Sequence, residues 1–117
     1  MIKTLIPCYD ALLHTKVQKC SYNLDRSKIS YRLHENMYHH NGIGLSANQI
    51  GINERVFVMI SDLDTQETIT CFNPKILKYS KDMVVMEEGC LSYPDVYLDV
   101  SRPESVVVKY EDEGKKV

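Results

Sequence analysis

An α+β fold, with one helix ahead of an antiparallel-rich set of strands, is what this sequence predicts. Two observations carry the prediction. A single stretch places apolar residues at helical spacing, with Ile29, Leu33 and Met37 at i, i+4 and i+8. From Arg55 onward the chain breaks into short β-branched and aromatic runs, separated by pairs rich in Gly, Pro, Asn, Asp and Lys.

Taken in order, Asn23 or Asp25 is positioned to cap the helix, which should continue to about Asn41, where Asn41-Gly42 ends it. Arg55-Val56-Phe57-Val58-Met59-Ile60 reads as a largely buried strand, bounded by Gly51-Ile52-Asn53 and Ser61-Asp62. Further short strands are expected near Thr68 to Phe72, Ile76 to Tyr79, Met83 to Glu87, Tyr97 to Val100 and Val106 to Tyr110. The separators are Asn73-Pro74, Lys81-Asp82, Tyr93-Pro94-Asp95 and Arg102-Pro103. After Tyr110, Glu111-Asp112-Glu113-Gly114 supplies turn chemistry that calls for a returning strand, and Lys115 to Val117 are too few to form it. On that ground the last strand is expected to lack a full partner and the fold to need further sequence.

Length and charge narrow the function. The 117 residues, 44% of them hydrophobic, suit one domain over residues 1–117 with a modest core. A net charge of −2 from 14 basic and 16 acidic residues, well mixed, gives no basic stripe for nucleic acid or an anionic membrane. A small neutral or peptide-like ligand fits better. No apolar run reaches membrane-spanning length, and Pro7 interrupts the opening segment before it can form a signal peptide, so the expected location is cytoplasmic.

The four cysteines, Cys8, Cys20, Cys71 and Cys90, show no C-x-x-C spacing. The first three read as small buried or half-buried apolar residues. Cys90 differs because it lies in Glu88-Gly89-Cys90-Leu91-Ser92, where a soft ligand is held on an extended backbone. No histidine or cysteine follows it. His14, His34, His39 and His40 form no i, i+3 or i, i+4 pair, and read as solvated residues at helix ends. Upstream, Gly42 to Gln49 combines small residues with an amide; it lacks the lysine of a phosphate loop and follows a helix rather than a strand. Adjacent Glu87 and Glu88 point to opposite faces of a strand, and Glu88 is expected to meet a cation such as Arg102, steadying the Cys90 segment.

Gly42-Ile43-Gly44-Leu45-Ser46-Ala47-Asn48-Gln49 and Glu88-Gly89-Cys90-Leu91-Ser92, in that order, with Asn73-Pro74 between and Arg102 leading into a V-x-V-x-Y strand, resemble the motifs of the peptide deformylase family. The resemblance covers essentially the whole chain. It implies a metalloenzyme that removes the N-formyl group from nascent N-formyl-methionyl peptides in the cytoplasm, near the ribosome. The family's third motif, H-E-x-x-H on a helix, is absent, so the resemblance implies a fold without its metal-binding helix, two histidine ligands or general-base glutamate.

Residue by residue, the resemblance makes Cys90 the thiolate ligand of Fe²⁺, with Zn²⁺ or Ni²⁺ as substitutes, beside a metal-bound water. Gln49 and the Leu91 backbone N–H become the oxyanion donors. Ile43, Gly44, Leu45 and Gly89 become the substrate cleft, and Glu88 and Arg102 its support. With one ligand in three, the chain alone is expected to be inactive. Two rivals stand beside this reading: a non-catalytic peptide-binding module using the Gly44 cleft, and a redox or structural cysteine protein centred on Cys90.

Overall fold

The computed structural model describes residues 2–20 and 24–114. Asp25 is the helix cap, its carboxylate accepting from the Lys28 N–H at 3.1 Å; Asn23 lies outside the described residues. The helix α1 spans Arg26–His39, and Ile29, Leu33 and Met37 are all buried, as their spacing predicts. It ends two residues short of Asn41. Asn41, not Gly42, takes the left-handed conformation (φ 58°), while the Gly42 N–H reaches the Met37 carbonyl and the Asn41 N–H that of Tyr38. That pair of bonds satisfies two carbonyls the last turn would otherwise leave open.

Strands β1 (Gly44–Ser46), β2 (Val56–Asp62), β3 (Glu67–Tyr79) and β6 (Val106–Glu111) form a four-stranded sheet in the order β1-β2-β3-β6. Every ladder is antiparallel. Strands β4 (Met83–Cys90) and β5 (Tyr93–Pro103) pair with one another as a separate hairpin. The core lies between α1 and the sheet: Leu33, Met37, Ala47, Val58 and Phe72 are wholly buried, with Leu45, Ile50 and Val56 around them. No helix among the described residues is long and apolar enough to cross a membrane.

Three expectations need correction, and a fourth is met in part. Asn73-Pro74 does not separate two strands. The chain runs through it as one strand, β3, with a register shift between Phe72 and Lys75. Pro74, having no N–H to donate, sits in that irregularity, while Asn73 turns through φ 51° and bonds out of the ladder, its N–H to Arg55 O and its Oδ1 from Cys20 N. Tyr93-Pro94-Asp95 likewise belongs to β5, which starts four residues earlier than expected. Arg102-Pro103 is also no separator but the last two residues of β5, paired with Val84 and Met83. And β6 is not wholly unpartnered: β3 pairs with one side of it, while among the described residues its other side remains the edge of the sheet, as the missing return strand leads one to expect.

Arg26 ties these parts together. Buried at the start of α1, it donates from Nη2 to Glu111 Oε1 at 2.8 Å and from Nη1 to Asp112 O at 2.9 Å, with its guanidinium 4.9 Å from the Phe72 ring centroid. The pairing holds the Glu111 carboxyl below its ordinary pKa.

The cysteines follow expectation: Cys20 and Cys71 are buried, Cys8 is half-buried, Cys90 is exposed, and all four are free thiols. Burial pushes the Cys71 thiol up to about 11. The histidines do not all follow. His34 is half-buried, donating from Nδ1 to Ser30 O at 2.8 Å and accepting at Nε2 from Thr68 Oγ1 at 2.8 Å, while His40 donates from Nε2 to Lys3 O at 2.9 Å. Neighbouring elements approach the helix closely enough to use rings that periodicity alone leaves to solvent.

Candidate active site

A cavity of about 740 Å³ opens where the segment after α1 faces the β4–β5 turn. One wall runs from His40 to Gly44. The other runs from Gly89 to Leu91 and from Tyr93 to Tyr97, with Leu5 and Gln49 contributing from elsewhere.

Gln49 enters this space on a short 3₁₀ turn, Ala47–Ile50, which begins where β1 ends. Its Oε1 accepts from the Ser46 N–H at 3.0 Å and from Ser46 Oγ at 3.2 Å, a local reciprocal arrangement that Ser46 and a glutamine three residues on can make. With the oxygen so engaged, the amide nitrogen must face the other way. Nε2 donates to Ser92 Oγ at 3.0 Å and lies 3.6 Å from Cys90 Sγ. Two segments more than 40 positions apart therefore meet through one amide.

The β4–β5 hairpin presents Cys90. Cys90 pairs with Tyr93, leaving Leu91 and Ser92 as the turn between them. The Leu91 side chain reaches back over Gly42, where an added Cβ would lie 2.6 Å from Leu91 Cδ1. Gly42 is small because Leu91 occupies its side-chain space. Gly89 is covered in the same manner by Tyr97, directly opposite it, whose ring would come within 2.8 Å of a Cβ. Gly44 differs: a Cβ there would meet only ordinary contacts, 3.5 Å from Val58 O, so the fold itself does not demand glycine.

The expected site residues are thus largely gathered. Ile43, Gly44, Gln49, Gly89, Cys90 and Leu91 all line the cavity. Leu45 does not. Alternation along β1 turns it into the core, where it is buried against the sheet. Glu88 and Arg102 pair as expected, with Arg102 Nε donating to both carboxylate oxygens at 2.9 and 2.7 Å. That bond holds the Glu88 carboxyl below its ordinary pKa. Ser92, which anchors the Gln49 amide, was marked only as the end of its motif, with no role attached, and Tyr97, which roofs Gly89, had no distinguishing mark at all, since each acts through a partner remote along the chain.

As a metal site the described residues are incomplete. No group of three or more His, Cys, Asp and Glu side chains comes together among them. Cys90 is the one exposed soft donor at the cavity, and the only histidine in its wall, His40, already spends Nε2 on the Lys3 carbonyl. One ligand does not fit a resident metal ion.

Comparison with solved structures gives the class first. The fold is that of the peptide deformylases: it superposes on the K3U-bound class I type b peptide deformylase from Acinetobacter baumannii with a TM-score of 0.92 at 29% identity, covering 99% of this chain and 80% of that one. A second structure of that enzyme, with Met-Ala-Ser bound, superposes with a TM-score of 0.90 at 28% identity, covering 99% and 80%. The family profile described as Polypeptide deformylase matches residues 2–117, and the chain belongs to that family. The peptide deformylase of Synechocystis sp. is 42% identical over 88 residues, which cover 74% of this chain and 47% of the relative. The chain spans about half the length of such relatives.

Proposed function

We propose that this chain carries the substrate cleft, the thiol corner and the amide donors of a site that removes the formyl group from N-formyl-methionyl peptides, working on nascent chains in the cytoplasm near the ribosome. The observation that supports this most is the Gln49 amide, oriented by Ser46 and placed 3.6 Å from Cys90 Sγ across the cavity. Met-Ala-Ser bound to the Acinetobacter baumannii relative supports a peptide in the same cleft.

In this reading, an extended peptide lies between the Ile43-Gly44 wall and the Gly89 to Tyr97 wall. The unforced glycine at position 44 leaves room for its backbone. Gln49 Nε2 and the Leu91 N–H donate to the formyl oxygen as negative charge develops there, each such donor being worth about 3 kcal/mol of transition-state stabilisation. Cys90 would supply one thiolate ligand to a metal, Fe²⁺ with Zn²⁺ or Ni²⁺ as substitutes, whose other ligands the described residues do not provide. The Glu88–Arg102 pair steadies the hairpin that carries Cys90.

The chain by itself is therefore expected to bind formyl-methionyl peptides without turning them over. Hydrolysis of formyl-Met-Ala-Ser above background by the purified 117-residue chain would overturn its inactivity, and failure to bind that peptide would overturn the cleft. A non-catalytic peptide-binding role is the second reading, favoured by the donor set, since Cys90 is the one exposed thiol at the cavity and no three His, Cys, Asp or Glu side chains gather among the described residues. Adding Gln49→Ala separates the two. Loss of donor function leaves peptide affinity nearly unchanged if Gln49 serves the transition state, and lowers it if ground-state binding is the function.

A further inference from the structure

We propose that Ser46 is a positioning residue for Gln49, and that Asn48 turns its amide nitrogen, not its oxygen, toward Ser46, so that hydrogen bonds run one way from Asn48 through Ser46 and Gln49 to Ser92. The inference rests on reading Gln49 as the amide donor of the site. It deepens that reading by naming what fixes the donor's direction.

A count of protons carries it. Ser46 Oγ lies 2.7 Å from Asn48 Oδ1 and 3.2 Å from Gln49 Oε1. A serine hydroxyl has one proton and cannot donate to both. Were the proton spent on Asn48, the contact with Gln49 would set oxygen lone pairs against each other in a half-buried place. The two ends of an asparagine amide have nearly the same shape, and a half-turn brings Nδ2 to where Oδ1 stands. Nδ2 then donates to Ser46 Oγ, and the hydroxyl proton is left for Gln49 Oε1. Among the described residues the Asn48 side chain makes no other hydrogen bond, so the half-turn breaks none.

The rest of the chain of bonds is then directed. Gln49 Oε1 takes the Ser46 N–H at 3.0 Å as well as the hydroxyl, which fixes one end of the amide. At the other end Nε2 gives one proton to Ser92 Oγ at 3.0 Å and keeps the second for the Cys90 side, 3.6 Å from Sγ. Bonds in series polarise one another in the same sense, which strengthens the donor at the end. Neither Ser46 nor Asn48 lines the cavity, so both act only through Gln49.

The test reads water exchange of side-chain amide protons by NMR in the 117-residue chain. One Asn48 Nδ2 proton should exchange about fivefold more slowly than its twin, the protection that one neutral hydrogen bond gives, and the difference should vanish in Ser46→Ala. The Gln49 Nε2 proton held by Ser92 should exchange about fivefold faster in Ser46→Ala and in Asn48→Asp, whose carboxylate draws the Ser46 hydroxyl away. Ser46→Thr, which keeps the hydroxyl, should restore the parent rate. Asn48 protons that exchange alike in the parent, a reading that needs no variant to fold, overturn the turned amide. Unchanged Gln49 exchange in Ser46→Ala or Asn48→Asp overturns the positioning role. None of these readings uses peptide: if formyl-Met-Ala-Ser fails to bind, the cleft reading falls and the chain of bonds stands.

Discussion

The four-stranded sheet with α1 and the β4–β5 hairpin are built on different principles. Around the sheet, β1, β2 and β3 pass apolar side chains to the core shared with the helix, and Phe72, Val58 and Leu33 lose all contact with solvent. In the hairpin almost every residue stays exposed: Met83, Val85 and Met86 on one strand, Val96, Tyr97 and Leu98 on the other. A two-stranded ladder with so little burial has only modest stability of its own. It is tied to the rest by a few side-chain contacts, among them Leu91 over Gly42 and Gln49 on Ser92. The cavity lies at the seam, with one wall on the firm region and the thiol on the soft one. The lesson is that ligand contacts here depend on a segment whose position is set by few interactions, so binding and global stability should respond to different substitutions.

The largest effect should come from the firm side. Phe72→Ala removes a wholly buried ring beneath the Arg26 guanidinium and is expected to lower unfolding free energy by about 3–5 kcal/mol in urea denaturation. Tyr97→Ala, on the soft side, should stay within about 0.5 kcal/mol of the parent. A comparable loss from Tyr97→Ala would show that the hairpin shares the core's cooperativity.

Hydrogen exchange sharpens the contrast without mutation. Amides in the β2–β3 ladder, as at Val58 and Thr70, should open only with the whole domain, and those of β4–β5 at least about tenfold more often. Thiol labelling should follow the same division. Cys90 is expected to react first, and Cys20 and Cys71 last, because burial both shields them and disfavours their thiolates.

The Arg26–Glu111 pair gives a smaller, pH-dependent effect. Glu111→Gln should cost about 1 kcal/mol near neutrality, in denaturation curves taken across pH. A carboxyl whose folded pKa is lowered contributes stability above its ordinary range, and that contribution disappears as pH falls through the lowered value. The difference between parent and variant should therefore shrink steadily on acidification. The smallest effect is expected from Glu88→Gln. Its partner Arg102 is exposed, so the unfolding midpoint should not move, whereas amide shifts around Cys90 should.

How much of this was legible in the chain depends on the distance over which each feature is decided. The Ile29, Leu33, Met37 stripe, the Asp25 cap and the Asn41-Gly42 stop are set by neighbours within a turn or two, and the structure has them where the residues indicate. The Gly42 to Gln49 and Glu88 to Ser92 segments were recognisable as patterns, and the Glu88–Arg102 pairing followed from charge. Strand boundaries were less legible. Asn73-Pro74 and Tyr93-Pro94-Asp95 have turn chemistry, yet each is absorbed as an irregularity in a longer strand, because pairing on both sides outweighs local preference.

By itself, then, the sequence determined the α+β class, the single helix and the two motifs, since local periodicity and residue chemistry are written along the chain. Only the tertiary structure decided that Gln49 reaches Ser92 and Cys90, that Leu45 belongs to the core rather than the cleft, and that Pro94, Asp95 and Val96 leave the ladder where they line the cavity. These depend on strand register and on which edges meet. A shift of one residue would turn each side chain to the opposite face, and the burial of the sheet's apolar face, not any local signal, selects the register observed.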